Sequence, residues 1–367
     1  MKPIRRLIIS AISGINLLFA ALLAASAFSP YIDPCKHPAL SCFGLAFPVF
    51  LLLNLLFILF WFFLKKKHAL ISIAALLICG HSVRTYFPVN LHEEAPQESF
   101  KLVSYNVMAF ANDIKHTKES PNPVLAYLLE SDADILCIQE FIEGNDRHHL
   151  RKADINKALK DYPYRTYHPA GTNTNGIACY SRFPILSQQA IPYESLYNGS
   201  AMYQLDINGD TVVIINNHLE SNKLTFQDKE IYVDMLKAPQ KEKVKEGTRL
   251  ILSKLAQASA IRARQARIIS RLSDSLQHIG RTFIICGDFN DTPVSYTYRK
   301  ISEGLNDAFV QSGNGMGISY NQKGFYFRID NILLSKNLHA YGCKVDNRIK
   351  ASDHYPILCR IAYHDHK

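Results

Sequence analysis

The sequence predicts an α/β or α+β sandwich carried behind an N-terminal region of membrane-spanning helices. Short, apolar, β-branched runs recur between Phe100 and Ile361 with helical patterns between several of them, which predicts the sandwich. The first 90 residues hold three long apolar runs, which predicts the anchor.

These runs are Leu7–Phe28, Phe43–Leu64 and a weaker one at Ala69–Phe87. A helical span needs roughly 20 apolar residues, so the first two are ample and the third is marginal. Lys2, Arg5 and Arg6 before the first run, and Ala24, Ala25, Ser26 and Ala27 at its end, also fit a signal peptide. Two further runs behind it favour a retained anchor. Lys65, Lys66 and Lys67 separate the second and third runs, whereas the loop between the first two offers only Lys36 and Asp33. Basic short loops stay cytoplasmic. With three spans, the rest of the chain lies on the extracytoplasmic side of a multi-pass protein of bacterial inner-membrane type. With an interfacial third run, it would be cytoplasmic.

Residues 1–90 thus form a transmembrane region of about three helices, and Leu91–Ser99 reads as a polar linker to a domain over 100–367. The chain carries 41 Lys and Arg against 32 Asp and Glu. The first 99 residues account for 8 and 4 of these, leaving 33 and 28, so the large domain is only mildly basic. That permits a nucleic-acid partner without indicating one. Of the eight cysteines, Cys35 and Cys42 flank the first loop and would suit a disulfide in an oxidising compartment. The others sit in apolar runs as small buried hydrophobes, and with no C-x-x-C pair, zinc is not expected.

In the large domain, strands are expected at Phe100–Val107, Ile135–Gln139, Ile177–Tyr180, Phe283–Cys286, Gly317–Tyr320, Arg328–Leu334 and Ile357–Ile361. Met202–Ile207 and Thr211–Asn216 read as a hairpin about Asn208-Gly209-Asp210. Helices are expected at Pro123–Glu130 and Asn156–Lys160. From Leu219 to Leu276 helix formers dominate. The first half is polar all round and reads as a solvated charged insertion near 221–254, while Leu252, Leu255, Ile261, Ile268, Ile269 and Leu272 give the second half an apolar face.

Polar residues fall repeatedly at strand ends: Asn106 closes LVSYN, Glu140 closes ILCIQE, His218 closes VVIINNH, and Asp288 and Asn290 follow FIIC. Asp330 lies inside an apolar strand, and Asp353 and His354 precede the last one. Singly, each has a dull reading as a turn former, a satisfied histidine or a strand-edge acid. Together they form a set of carboxylates, amides and histidines at the ends of rigid strands, where sites are built. Oxygen ligands without thiolates suit Mg²⁺ or Mn²⁺. Glu140 is the best ligand, with Asn106 and Asp353 beside it, and two histidines with an acid partner can activate water and bind phosphate oxygens.

The ordered motifs SYNV, IQE, NGIACYSRFP, NNHLES, GDFND, FRIDNILLS and SDHYPI resemble the endonuclease/exonuclease/phosphatase superfamily of DNase I-like fold, over about Phe100 to Ala362. The resemblance is to a membrane-anchored bacterial member. It implies a four-layer α/β/β/α sandwich and metal-dependent cleavage of phosphoesters. Asn106, Glu140 and Asp353 match the family's metal-side residues, and His218 the histidine that stabilises the transferring phosphoryl group. Asp288 and Asn290 match the pair that orients water and a phosphate oxygen, Asp330 the acid that holds a histidine, and His354 the catalytic histidine. The assignments of His218 and His354 are interchangeable at this level. Asp307 reads as structural support, and Asn175 and Arg264 as candidate phosphate contacts.

The family hosts nucleases and lipid phosphodiesterases or phosphatases alike, so fold does not settle substrate. A nuclease is the leading expectation. Its loop candidates are Tyr320, Phe325, Tyr326 and Phe327 with Lys323 and Arg328. A lipid headgroup is the alternative, favoured by the anchor, and no obligate protein partner is evident. A catalytically dead scaffold is disfavoured because every motif position is filled, and a transporter because the spans hold no acid.

Overall fold

The computed structural model describes residues 2–112, 114, 116–117, 119–142, 150–170, 175–237, 240–322 and 324–364. Lys323, one of the loop candidates, lies outside the described residues. Among the described residues there are fourteen strands: β1 Phe100–Asn106, β2 Ile135–Phe141, β3 Tyr164–Pro169, β4 Gly176–Ser181, β5 Ile185–Ile191, β6 Gly199–Ile207 and β7 Asp210–His218 in the first half. The second half adds β8 Thr282–Asp288, β9 Asn306–Asp307, β10 Tyr320–Gln322, β11 Phe325–Phe327, β12 Asp330–Leu334, β13 Leu338–Val345 and β14 Ile357–Tyr363.

They make two six-stranded sheets, ordered β13-β14-β1-β2-β4-β3 and β5-β6-β7-β8-β12-β9, with β10 and β11 as a separate hairpin. Each sheet has one parallel pair at its centre, β1 with β2 and β7 with β8, and antiparallel neighbours outside it. The inner faces meet in a core that includes Leu102, Cys137, Tyr203, Ile214, Ile284 and Cys359. The outer face of the first sheet buries Leu136 and Ile138 against helix Pro123–Glu130, which starts cleanly because Asn122 accepts from the amides of Val124 and Leu125 and Pro123 needs no donor partner. The other outer face buries Phe283 and Ile285 against helices Lys241–His278 and Tyr296–Ser302. The expected four layers are all present.

The charged insertion differs from its solvated reading. Lys241–His278 is one continuous helix of 38 residues, and although its first turns are largely exposed, Gly247 abuts Met235 of helix Phe226–Lys237 and Ile251 is buried. The long helix therefore carries the short one as a flap over hairpin β10–β11, with the Tyr232 and Phe325 rings 4.7 Å apart.

Ahead of the sandwich, Pro3–Tyr31 and Pro38–Leu64 are helices long and apolar enough to cross a membrane. The third apolar run is broken: Lys66–Ile78 and Gly80–Tyr86 meet at a 72° bend. Side-chain bonds fix how they run. Ser13 meets His68 at 2.8 Å, Ser72 donates to Asn16 at 2.7 Å and Ser82 to the Ala27 carbonyl at 3.4 Å, so the first and third helices are parallel. Asn54 of the intervening helix donates to the Phe19 carbonyl at 3.0 Å. Lys65, Lys66 and Lys67 thus share one end of the bundle with the N-terminus. The other end docks on the sandwich through the Arg267–Asp33 ion pair at 2.6 Å and through Arg299, which donates to the Pro30 carbonyl at 2.9 Å. Cys35 and Cys42 are free thiols, each facing a backbone carbonyl, Ala260 and Pro38 respectively, so the expected disulfide is not formed. The linker is not loose at its start either, since Asn90 bonds the carbonyls of Val310 and Gly313.

Candidate active site

Strand register sets three of the polar residues in a row. His218 on β7 pairs with Asp288 on β8, and Asp288 pairs on its other side with Asp330 on β12. From the facing sheet come Asn106 at the end of β1, Glu140 near the end of β2, and Asp353 and His354 just ahead of β14. Asn106 joins the two groups: its Nδ2 donates to Glu140 Oε1 at 3.1 Å and across the sandwich to Asp288 Oδ2 at 3.2 Å.

Backbone geometry aims these side chains. Glu140 has φ 50° within a bulge in β2 between Ile138 and Phe141, which turns its carboxylate out of the strand's alternation. Asn290 has φ 52°, and Gly287 has φ 121° with its α-carbon against the backbone of Asn217, where no side chain fits. Such conformations cost of order 1–3 kcal/mol each for a residue with a side chain, and they gather here at one place.

His354 Nδ1 donates to Asp330 Oδ2 at 2.8 Å, which leaves Nε2 facing Asp288 Oδ2 at 3.6 Å. Burial opposes a charge on this imidazole, but the carboxylates of Asp330 and Asp288 outweigh it and raise its pKa well above the usual value. Burial lifts the pKa of Asp288 to about 7. His218 is pushed the other way, down to about 4, by burial and then by the charge of His354. Its Nε2 stands 3.6 Å from Glu140 Oε1 and 3.8 Å from Asp288 Oδ2. Two histidines of one site are thereby set in opposite charge states.

Eight of the ten residues singled out in the sequence converge here. Asn290 arrives with its amide already committed, donating to the Leu219 carbonyl at 2.9 Å and to Asp288 Oδ2 at 3.2 Å, so it positions Asp288. Asn175 is half-buried ahead of β4 and does not line the cleft. Arg264 is exposed, and Arg262 takes the inward place instead. The reason is helical phase: two residues along a helix turn the side chain by about 200°. Buried Arg262 donates to the Glu220 carbonyl at 3.0 Å, to Asn222 Oδ1 at 2.8 Å and to Asp291 at 3.3 Å. Asp307 is structural as expected, capping helix Ala308–Ser312 and pairing with buried Arg328 at 3.1 Å. Two serines were not foreseen. Ser319 Oγ accepts from the amides of Ile329 and Asp330, and Ser352 Oγ links the amide of His354 to the carbonyl of Asn106. Only Ser352's place in the SDHYP run could have pointed to it.

The donor set suits a hard divalent cation. Glu140, Asp288, Asp330 and Asp353 crowd together, and among the described residues no Lys or Arg pairs with any of them. Burial, and after it the nearby charge of Glu140, raises the Asp353 pKa, so the acids repel one another as they stand. Ligand atoms of Asp288, Asp330 and His354 also lie within 4.8 Å of one another. Asp330 and His354 are already bonded together, however, whereas Glu140 opens to the cleft with its side chain 30% exposed.

Residues 103–354 match the model of the endonuclease/exonuclease/phosphatase family, and residues 6–86 match a domain of unknown function. No curated protein matches the chain by sequence. Among solved structures, an endonuclease/exonuclease/phosphatase from Beutenbergia cavernae is similar at TM-score 0.52 and 15% identity, over 72% of each chain. The human nocturnin catalytic domain, with bound sulfate, is similar at TM-score 0.51 and 18% identity over 75% of this chain and 96% of that one. Truncated TDP2 of Caenorhabditis elegans gives TM-score 0.51 and 16% identity over 72% and 97%. At these identities the likeness is one of fold.

Proposed function

We propose that this chain, which belongs to the endonuclease/exonuclease/phosphatase family and is a metal-dependent phosphoesterase, cleaves its substrate by in-line attack of water at the Asp288–His354 pair. The observation that carries this reading is the His354–Asp330 bond at 2.8 Å, which leaves His354 Nε2 facing Asp288. Asp288, tuned to about 7, takes the proton of the attacking water. His354, held cationic, hydrogen-bonds the phosphoryl group and gives its Nε2 proton to the departing oxygen. The close approach of the two groups then lets the proton taken from water pass from Asp288 to His354. His218, neutral, stands on the far side as a donor to a phosphoryl oxygen. Glu140, Asn106 and Asp353 would hold Mg²⁺ or Mn²⁺, which supplies charge stabilisation to the transferring phosphoryl group.

Membrane anchorage through the N-terminal helices, and an extracytoplasmic catalytic domain, belong to the same proposal. The basic clusters Arg5–Arg6 and Lys65–Lys67 lie at the end of the bundle away from the sandwich, which supports that orientation. A nucleic acid was the substrate expected first, and three of the loop residues that favoured it have other tasks, whereas Tyr326 is exposed. Tyr320 accepts from Lys229 at 2.6 Å, Phe325 is buried, and Arg328 holds Asp307 and the Thr85 carbonyl.

The test uses the full chain in detergent with bis(p-nitrophenyl) phosphate. Turnover should require Mg²⁺ or Mn²⁺, vanish with EDTA, and fall by about 10²-fold or more in His354→Ala. Turnover that persists in EDTA, or that is unchanged in the variant, would overturn the proposal.

A further inference from the structure

The catalytic centre opens into a cavity of about 360 Å³ whose walls come from both parts of the molecule. One end is Glu140, His218, Asp288, Asp353 and His354. The other is lined by Ser41, Cys42 and Leu45, from the first turns of the second apolar helix, Pro38–Leu64. Between them the apolar side chains of Val294, Ile251, Leu255 and Phe325 form part of the wall, with Lys229, Asn222 and Arg262 among them.

This junction is a packed interface. Val294, four residues beyond Asn290, belongs to the same apolar cluster as Leu23, Phe47 and Tyr86 at the near end of the helix bundle. Gly44 lies against the Val294 carbonyl with no room for a side chain, and Ser41 meets Ser259 of the long helix at 3.4 Å. The loop that follows the catalytic GDFND run therefore rests directly on the tops of the apolar helices. Those tops are where an apolar helix leaves hydrocarbon, so the cavity lies at the level of lipid headgroups. Helix Phe226–Lys237 stands over hairpin β10–β11 and adds Lys229 and Tyr232 to the cavity wall beside Tyr320 and Phe325.

We propose that the substrate is a phosphoester lipid of the surrounding bilayer, its phosphate at Asp288 and His354 and its apolar part along Leu255, Val294 and Leu45. The inference rests on the phosphoesterase reading above and adds the substrate class to it. A cavity with the charged centre at one end and apolar side chains along its wall, bordered by the tops of the apolar helices, fits an amphipathic molecule entering from the membrane plane. The bond cleaved is a phosphorus–oxygen bond of the headgroup ester: water adds its oxygen to phosphorus, and the departing alcohol oxygen takes the proton.

The full chain, reconstituted with Mg²⁺ into vesicles of phosphatidylcholine with phosphatidylglycerol, phosphatidylethanolamine and phosphatidic acid, tests this by mass analysis of the lipids. Parallel samples receive bis(p-nitrophenyl) phosphate or a single-stranded oligonucleotide. Loss of at least one phosphoester lipid is expected, faster than cleavage of the oligonucleotide. In Leu45→Gln and Leu255→Gln the ratio of lipid to soluble-ester turnover should fall by roughly tenfold. Taking the ratio within each variant guards against a poorly folded preparation, which loses both together. Intact lipids with a cleaved soluble ester or oligonucleotide would overturn the lipid assignment and leave the phosphoesterase reading standing. An unchanged ratio in both variants would overturn the apolar wall's role. No turnover of any substrate by folded protein would overturn both readings.

Discussion

Gly44 and Val294 are in backbone contact, the first in the opening turns of helix Pro38–Leu64 and the second four residues past Asn290, and a side chain at 44 has no space to occupy. A Gly44→Val substitution must therefore push the helix bundle and the sandwich apart. Overpacking of a filled interface costs about 1–3 kcal/mol. The thermal midpoint of the full chain should fall, and the polar segment after Asn90 should become more sensitive to protease. A wild-type midpoint and digestion pattern would show that the two parts do not rest on each other there.

Gly287 should tolerate even less. Its φ of 121° and its contact with Asn217 backbone leave neither conformation nor room for alanine. Gly287→Ala should cost about 2–3 kcal/mol through strain and displaced strand pairing. It should also lower turnover, because Asp288 is the next residue. Denaturation midpoints with kcat on the soluble ester check both at once.

The paired arginines on the long helix give a contrast test. Arg262→Ala removes a buried cation that holds the Glu220 carbonyl, Asn222 and Asp291, and leaves Asp291 short of a partner, so a loss of about 3–5 kcal/mol is expected. Arg264→Ala, on an exposed face, should stay within about 0.5 kcal/mol of wild type and keep full activity. Equal effects from the two would mean that the helix is rotated from the arrangement described.

Asp330→Asn keeps the shape of the site and removes the charge that holds His354. A fall in kcat of about 10²- to 10⁴-fold with little change in KM is expected. Asp330 is fully buried on β12 with its amide on Ser319, so the fold should survive. A change confined to KM would assign Asp330 to substrate binding instead.

His168 should give the fold a pH dependence. Its ring lies stacked 6.1 Å from Tyr203, and its Nε2 is buried with no hydrogen-bond partner among the described residues. Burial lowers its pKa from 6.5. The unfolded chain therefore takes up this proton at a higher pH than the folded one, so stability is level above about pH 7 and falls as the pH drops through 6.5. His168→Phe should flatten that part of the stability profile. An unaltered slope would place the acid sensitivity elsewhere.

Much of the site was legible in the sequence because strands end abruptly there. An apolar run that stops at an acid or amide, as in FIICGDFN, marks a position at the sheet's edge, and the order of the seven motifs identifies the fold. What was not legible depended on phase or on distance. Strand β5 has exposed residues over Leu186–Ala190 and so lacks the alternation that reveals a strand. Arg262 and Arg264 cannot be told apart without knowing which face the long helix turns inward. Ser41 and Ser259 are 218 residues apart, and nothing in either stretch announces that they meet.

The row of His218, Asp288 and Asp330 across β7, β8 and β12 means that inter-strand spacing, about 4.8 Å, acts as the ruler for this chemistry. Such a ruler has no intermediate setting, because the hydrogen-bonded ladder is either in register or broken. Heating should therefore leave the reacting distances almost constant until the sandwich melts. Activity and the global unfolding transition should then disappear together, with no earlier, softer loss of function of the kind shown by sites built on mobile loops.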